Sequence, residues 1–181
     1  IFHPGNQIGI LGLGYLGQAS AKVFLKMGFN VFGWSRRIKQ INGIICFSDS
    51  EGLTKMLSQT DYLINLLPNT PATEDLLNFK ALSMLKRGAY VINVGRGKTL
   101  VDNDLINLLN NGHLSGACLD VFRTEPLPLN HQFRNHNKIL ITPHNSSNTQ
   151  SDSVAPQILE NYRRALSGKK LMHLVDMKNG Y

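Results

Sequence analysis

The stretch Ile8-Gly9-Ile10-Leu11-Gly12-Leu13-Gly14-Tyr15-Leu16-Gly17 decides the fold. An apolar segment, Ile8 to Leu11, runs into three glycines spaced G-x-G-x-x-G, and a second segment, Ala19 to Met27, carries apolar residues at helical spacing. A strand, a tight turn and a helix start in that order form a cradle for a dinucleotide pyrophosphate. Gly12 is expected to permit the turn, Gly14 to let the backbone approach the phosphates, and Gly17 to let the helix pack closely on the strand. The first amides of the helix, at Tyr15 and Leu16, then face the anion. Glycine patterns of this length also occur in ordinary strand-to-helix turns, so the surroundings carry the reading. Met27-Gly28 stops the helix, and Val31-Phe32-Gly33-Trp34 supplies a second short apolar strand where a β-α-β unit requires one.

The alternation continues outward from this unit. Asp61 to Leu67 predicts a buried strand ended by Pro68, followed by a helical stretch around Ala72 to Leu85. Ala89 to Val94 is the next strand, stopped by Gly95-Arg96-Gly97, and Asp102 is expected to cap a helix from Asn103 to Asn111 that ends at Gly112. Gly116 to Val121 and Lys138 to Thr142 complete the strands. Apolar strands without alternation, separated by helices, imply a parallel sheet covered on both faces. The expected fold class is therefore α/β, a doubly wound parallel sheet of the Rossmann type. A dinucleotide-binding domain over residues 1–150 is expected to precede a C-terminal helix and tail over 151–181. In that last segment Ser151 to Leu166 reads as a helix with Val154, Ile158, Leu159, Tyr162 and Leu166 on one face. The irregular stretch Phe122 to Asn137, with Pro126 and Pro128, is long enough to suggest a functional loop.

Composition narrows the function classes. With 181 residues, 42% of them hydrophobic and 17% charged, the chain can bury a full core. No stretch approaches the apolar length of a membrane span, and Ile1 to Asn6 lack the basic and apolar regions of a signal peptide, so a soluble cytoplasmic protein is expected. Cys46 and Cys118 sit in or beside apolar runs and read as buried free thiols, not as a disulfide or nucleophile, and no metal site is indicated. The formal charge of +7 is carried by scattered basic residues without interleaved aromatics, which favours anionic small molecules over nucleic acid.

Ligands of open α/β sheets bind beyond the carboxyl ends of the strands. Three reactive residues follow strands directly: Arg96 after Val94, Glu125 after Val121, and His144 after Thr142-Pro143. All three are expected on the rim that carries the glycine turn. Taken singly, an arginine between glycines can cap a helix, a Glu-Pro pair is often a turn, and a histidine after proline is often a satisfied surface residue.

The ordered set of segments, however, resembles the D-isomer-specific 2-hydroxyacid dehydrogenase family, most closely its glyoxylate/hydroxypyruvate reductase A branch. Gly12 to Gly17, Trp34-Ser35-Arg36, Leu66 to Thr70, Asn93 to Gly97, Leu119 to Pro128, Thr142-Pro143-His144 and the ending Asn179-Gly180-Tyr181 carry the resemblance. It implies that Arg96 holds the carboxylate of a 2-oxo acid and polarises its carbonyl. It further implies that His144 protonates the carbonyl oxygen while Glu125 pairs with the imidazole and favours its protonated form. Asp120 would accept a hydrogen bond from the nicotinamide carboxamide, and Leu67, Pro68 and Val94 would lie against the cofactor.

An NAD-preferring site usually has an acidic residue at the end of the second strand. Here the chain reads Trp34-Ser35-Arg36-Arg37. Ser35 can hydrogen-bond a 2′-phosphate and Arg36 or Arg37 can pair with it, so NADP(H) is expected over NAD(H) by about 10- to 150-fold, from bonds of roughly 1.5 to 3 kcal/mol. The duller reading is a solvated basic turn before Lys39.

The first strand begins near Gln7, whereas the resembled enzymes place a separate substrate domain before it. The expectation is a cofactor-binding fragment that retains Arg96, Glu125 and His144, with a C-terminal helix that would pack on the absent domain. Such a fragment should bind NADP(H) with little or no turnover. Leu171, Met172, Leu174 and Val175 are expected exposed or recruited into an oligomer, and a homodimer through the cofactor domain is expected. The alternative function is a dinucleotide-sensing, corepressor-like interaction protein without turnover.

Overall fold

Strand β1 (Gln7–Leu11) and strand β2 (Asn30–Trp34) run parallel, with helix α1 (Tyr15–Lys26) between them in sequence, so the β-α-β unit read from the glycine motif forms. The computed structural model describes residues 5–147 and 150–175. The unit is followed by β3 (Ile45–Phe47), α2 (Asp49–Leu57), β4 (Tyr62–Asn65), α3 (Phe79–Ser83) and β5 (Ala89–Asn93). Then come α4 (Asp102–Asn110), β6 (Leu114–Leu119), β7 (Ile139–Ile141) and α5 (Ser151–Leu166). Every strand pairing is parallel, and the order is β3-β2-β1-β4-β5-β6-β7. The direction of winding reverses between β1 and β4, which is where a doubly wound sheet opens a crevice for ligands. The expected Rossmann-type fold is the one observed.

The register aligns the strand ends. Trp34, Leu11, Asn65, Asn93, Leu119 and Ile141 are successive partners across the sheet. The residue after each of these strands, and after β1, still donates its backbone N–H to the neighbouring strand: Ser35 to Phe47, Gly12 to Trp34, Leu66 to Leu11, Val94 to Asn65, Asp120 to Asn93 and Thr142 to Leu119, at 2.8 to 3.2 Å. The rim from which the loops spring is thus pinned by the same ladder as the sheet.

Two apolar layers sandwich it. On one face Leu11, Leu63, Val91, Ala117 and Leu119 meet buried residues of α2, α3 and α4, among them Met56, Leu82, Leu105 and Leu109. On the other, Ile8, Ile10, Val31 and Ile64 pack with Leu13, Phe29 and Ala21 of α1. Along the row Ile10, Ile64, Ile92, Cys118, Leu140 on this second face, exposure rises from 0% at Ile10 to 58% at Leu140. The outermost strands, β3 and β7, are three residues each.

Several expectations are corrected. The helical stretch around Ala72 to Leu85 shrinks to α3, because the Thr73 hydroxyl donates to the Pro68 carbonyl (2.6 Å) and accepts from the Thr70 N–H (2.9 Å) to close a turn instead. Asp75 follows at φ +53°, and Leu77 bridges in parallel to Leu100, so the chain is extended where a helix was read. Asp102 is the first residue of α4, not its cap. Val101 occupies the cap position, and the Asp102 carboxylate faces His131 Nε2 at 3.4 Å. The unpredicted β3 and α2 occupy the stretch after Gly43, and the long loop contains a 3-10 turn, Gln132–Asn135, anchored by buried Phe133. Cys46 and Cys118 are free thiols but half-buried, and burial, the leading cause in both, pushes each thiol up. Neither is thereby prepared as a nucleophile.

The chain divides into two compact units, residues 1–144 and 145–181. In the second, α5 has the bounds read from the sequence, and Ile158, Leu159, Tyr162 and Leu166 are exposed along it. Asn161 exchanges two hydrogen bonds with the Met172 backbone (2.8 and 3.2 Å), which folds the following segment back along this helix. Leu174 and Val175 are exposed as expected, whereas Leu171 and Met172 are half-buried. Asn179-Gly180-Tyr181 lies outside the described residues.

Candidate functional site

The three motif glycines differ in what surrounds them. Gly12 sits at φ +98°, a left-handed conformation that glycine adopts without steric cost, and a β-carbon there would lie 3.0 Å from the Leu66 carbonyl oxygen. At Gly17 a β-carbon would lie 1.9 Å from the Gly12 carbonyl oxygen, so the close contact of α1 is with the turn itself. At Gly14 nothing lies within 4 Å. Gly14 is the N-cap of α1 and supplies no side-chain hydrogen bond, no acidic residue stands in the first turn, and Tyr15 and Leu16 are exposed. A helix start with uncapped amides, no acidic residue in its first turn and open space over a glycine backbone fits a dinucleotide pyrophosphate.

The basic turn after β2 borders this cradle. Ser35 is buried, and its hydroxyl donates to the Arg37 carbonyl (2.8 Å), while the Arg36 and Arg37 side chains are exposed. Lys39, which the sequence reading left outside the site, reaches the Leu13 carbonyl inside the glycine turn at 2.5 Å. Gln18 donates to the same oxygen at 3.0 Å. The signal for Lys39 was present as the third cation of the Arg36-to-Lys39 run, but its contact spans 26 residues and has no local signature.

The reactive residues come from loops after three strands. Arg96 follows β5, is exposed, and its Nη1 donates to the Gly95 carbonyl at 2.7 Å. Glu125 Oε1 accepts the Phe122 N–H (2.9 Å), and Glu125 Oε2 meets His144 Nδ1 at 2.7 Å. His144 adopts φ +53°, a conformation that non-glycine residues occupy at a cost and that clusters at functional sites. Asp120 is buried directly beyond β6, and its Oδ1 accepts the hydroxyl of Thr142, two residues before His144. Leu67 is buried and Pro68 and Val94 are half-buried on the same rim. Arg123, which the sequence gives no role beyond its place in the Leu119-to-Pro128 segment, ties the Glu125 loop to Asp75 by an ion pair and to the Leu100 carbonyl at 3.0 Å.

The family model described as D-isomer specific 2-hydroxyacid dehydrogenase, NAD binding domain, matches residues 3–146. The chain belongs to this family. Its members are oxidoreductases, and the matched region is their NAD(P)-binding domain. Glyoxylate/hydroxypyruvate reductase A of Photorhabdus laumondii is 43% identical over 174 residues, covering 96% of this chain and 56% of that protein. The protein of the same name from Serratia proteamaculans is 44% identical over 174 residues, again 96% and 56%. This chain therefore spans little more than half the length of these relatives. The D-isomer specific 2-hydroxyacid dehydrogenase of Xanthobacter autotrophicus Py2, solved with NADPH and MES, superposes at a TM-score of 0.95 with 41% identity, covering 97% of this chain and 73% of that one. The NADPH-dependent glyoxylate/hydroxypyruvate reductase of Sinorhizobium meliloti, solved with NADP and sulfate, gives 0.94 and 35%, with 100% and 60% covered.

Within this dehydrogenase domain the electrostatics centre on Glu125. Desolvation, the largest single influence, pushes its carboxyl up. The His144 hydrogen bond, the Phe122 N–H and the charges of His144 and Arg96 together outweigh it and hold the carboxyl below its ordinary value. A carboxylate kept ionised beside an imidazole Nδ1 fixes the orientation of the ring through that nitrogen. Among the described residues no group of three or more His, Cys, Asp or Glu could hold a metal ion.

Proposed function

We propose that this chain is the NADP(H)-binding domain of a reductase that converts small 2-oxo acids, glyoxylate or hydroxypyruvate, into D-2-hydroxy acids by hydride transfer. The observation that carries the reading is the Glu125–His144 pair at 2.7 Å on the rim that also bears Arg96 and the glycine turn. The relatives named for these two substrates support the substrate class.

The dinucleotide, when bound, supplies hydride chemistry; the protein does the rest. Gly12, Gly14, Tyr15, Leu16 and Gly17 would hold its pyrophosphate, and Leu67, Pro68, Val94 and Asp120 its nicotinamide half. The planar Arg96 guanidinium binds the substrate carboxylate through two parallel bonds and draws charge from the adjacent carbonyl. His144 holds a proton at Nε2 and gives it to the carbonyl oxygen, and Glu125 steadies the ring through Nδ1 as the imidazole changes charge. Positioned proton transfer of this kind is worth about 10² to 10⁴ in rate.

Preference for NADP(H) rests on the exposed guanidinium groups of Arg36 and Arg37, with Ser35 holding their turn in shape. Three NADP(H) complexes among the structural neighbours point the same way. The exposed apolar line of α5 suits a substrate domain contributed by the longer enzyme, and the same reading includes a homodimer through the cofactor domain and a cytoplasmic setting. No helix among the described residues is long and apolar enough to cross a membrane.

The test has two arms. Calorimetry of this chain should show heat with NADPH and much less with NADH. In the longer enzyme His144→Ala should leave NADPH affinity within about twofold and lower glyoxylate reduction by at least about 10²-fold; undiminished turnover removes His144 from the chemistry.

A further inference from the structure

Beneath Arg96 lie three polar side chains outside the proposed catalytic and cofactor-binding set. Asn65 ends β4, Asn93 ends β5 and Thr99 lies in the 3-10 turn Gly97–Thr99; each is 0% exposed. Buried polar atoms left unpaired are costly, and these are paired to one another in a fixed direction. Asn65 Nδ2 donates one hydrogen to Asn93 Oδ1 at 2.9 Å and the other to Thr99 Oγ1 at 2.7 Å. An amide nitrogen only donates, so the Thr99 oxygen acts there as acceptor and its single hydrogen is free to turn elsewhere. It goes to the Arg96 carbonyl at 2.6 Å. The same carbonyl receives the Thr99 N–H at 3.3 Å and Asn93 Nδ2 at 3.4 Å.

The other ends of the network reach the neighbouring loop. Asn93 Oδ1 accepts the Gly95 N–H, and Asn65 Oδ1 accepts the Leu67 N–H, both at 3.2 Å. Gly95 also packs on Leu67: a β-carbon at Gly95 would lie 2.8 Å from the Leu67 carbonyl oxygen. The loop after β4 and the loop after β5 are thus one block, closed by a side-chain relay with no contact to solvent.

We propose that Asn65, Asn93 and Thr99 are positioning residues that hold the Arg96 backbone in register with the Leu67 loop, so that the guanidinium is presented to the substrate carboxylate from one fixed position. This rests on the function proposed for Arg96. Apolar residues of similar size would fill the same space, so the relay's polarity serves the backbone groups of Leu67, Gly95 and Arg96 and not core volume. Misplacing a catalytic or binding group by about 1 Å is enough to lower rate by about 10²-fold, which gives such a relay its value.

The test compares Thr99→Val, which keeps the shape and removes the hydroxyl, with Thr99→Ser, which keeps the hydroxyl. Both are made in this chain and read by amide relaxation dispersion and hydrogen exchange at Gly95, Arg96 and Gly97, and by the affinities for NADPH and for oxalate, a planar anion that presents a carboxylate beside a carbonyl oxygen. Thr99→Val should speed exchange at those three amides at least tenfold and weaken oxalate about tenfold at saturating NADP, with NADPH affinity within twofold, and Thr99→Ser should restore all of it. Unchanged amides in Thr99→Val, parallel loss of NADPH and oxalate, or failure of Thr99→Ser to restore the parent behaviour would each overturn the relay. If Thr99→Val does not fold, Thr99→Ala is read in the same way. A parent chain that binds neither NADPH nor oxalate defeats the proposed function, while the amides of Gly95 to Gly97 still decide on the relay.

Discussion

Gly97 and Phe122 touch backbone to backbone: a β-carbon on Gly97 would lie 1.9 Å from the Phe122 carbonyl carbon and 2.0 Å from its oxygen. This contact sets the loop bearing Arg96 against the loop bearing Glu125, because Phe122 N–H is also the donor to Glu125 Oε1. The expected outcome for Gly97→Ala is a stability loss of about 1 to 3 kcal/mol from overpacking, together with a fall of at least about tenfold in turnover of the proposed full-length reductase. Urea unfolding of the chain and steady-state kinetics check the two parts. A variant as stable and as active as the parent would show that the two loops are set independently.

Gly14 and Gly17 should behave as opposites although they belong to one motif. Gly17→Ala drives a methyl group into the Gly12 carbonyl and is expected to destabilise the chain by about 1 to 3 kcal/mol or more. Gly14→Ala meets open space at φ −73°, so its stability should stay within about 1 kcal/mol of the parent, while dinucleotide affinity drops as the methyl group occupies the ligand's approach. Equal thermal shifts for the two, or unchanged coenzyme affinity in Gly14→Ala, would count against the cradle.

The Glu125–His144 pair carries a pH signature. Desolvation raises the Glu125 carboxyl, but the His144 bond, the Phe122 N–H and the nearby positive charges leave it lowered in the fold. A lowered folded value means the pair's contribution is fully present above the ordinary glutamate range of about 4.3 and is lost as pH falls through the folded value beneath it. Carbon-13 titration of the Glu125 carboxyl should therefore give a midpoint below that of an unperturbed glutamate, and His144→Ala should move it upward. A midpoint above the ordinary range would contradict the arrangement.

The basic turn yields a discriminating pair of variants. Arg36→Ala should weaken NADPH by about 10- to 150-fold, the equivalent of roughly 1.5 to 3 kcal/mol, and NADH hardly at all. Lys39→Met removes the contact to the Leu13 carbonyl and loosens the glycine turn, so both coenzymes should lose affinity together. Fluorescence titration with NADPH and NADH separates the cases. Equal loss of both coenzymes in Arg36→Ala would contradict the assignment of the turn to a 2′-phosphate.

The legible part of this fold was its buried part. Strands β1, β2 and β4 to β6 announce themselves because a parallel sheet covered on both faces demands continuous apolar runs. The edge strand β7 shows as the run Ile139-Leu140-Ile141 although it is half-exposed, and Gly12 to Gly17 marks the first turn by geometry that other residues meet only with strain. What escaped was short or non-local. α2 opens with Asp49-Ser50-Glu51-Gly52 and buries only Met56 and Leu57, and β3 is a half-exposed edge strand, so neither has a strong pattern. Ala72 to Leu85 has helical composition, yet the Thr73 hydroxyl finds the Pro68 carbonyl and diverts the chain. Of the candidate site, Arg96, Glu125 and His144 were visible as polar residues just past strands. The relay was not, since Asn65 lies 28 residues from Asn93 and 34 from Thr99, and its logic exists only once β4 and β5 are neighbours.

The two margins of the sheet are its shortest strands, β3 and β7, each of three residues. A margin that brief offers an incoming chain few unpaired amides to template on, so ribbon-to-ribbon stacking into fibrils has little to start from. The apolar side chains that reach solvent, at Leu140 and along α5 at Ile158, Leu159, Tyr162 and Leu166, add side-chain faces and no long hydrogen-bonding edge. Excess association of this polypeptide should accordingly yield amorphous, detergent-reversible clusters in preference to ordered cross-β material.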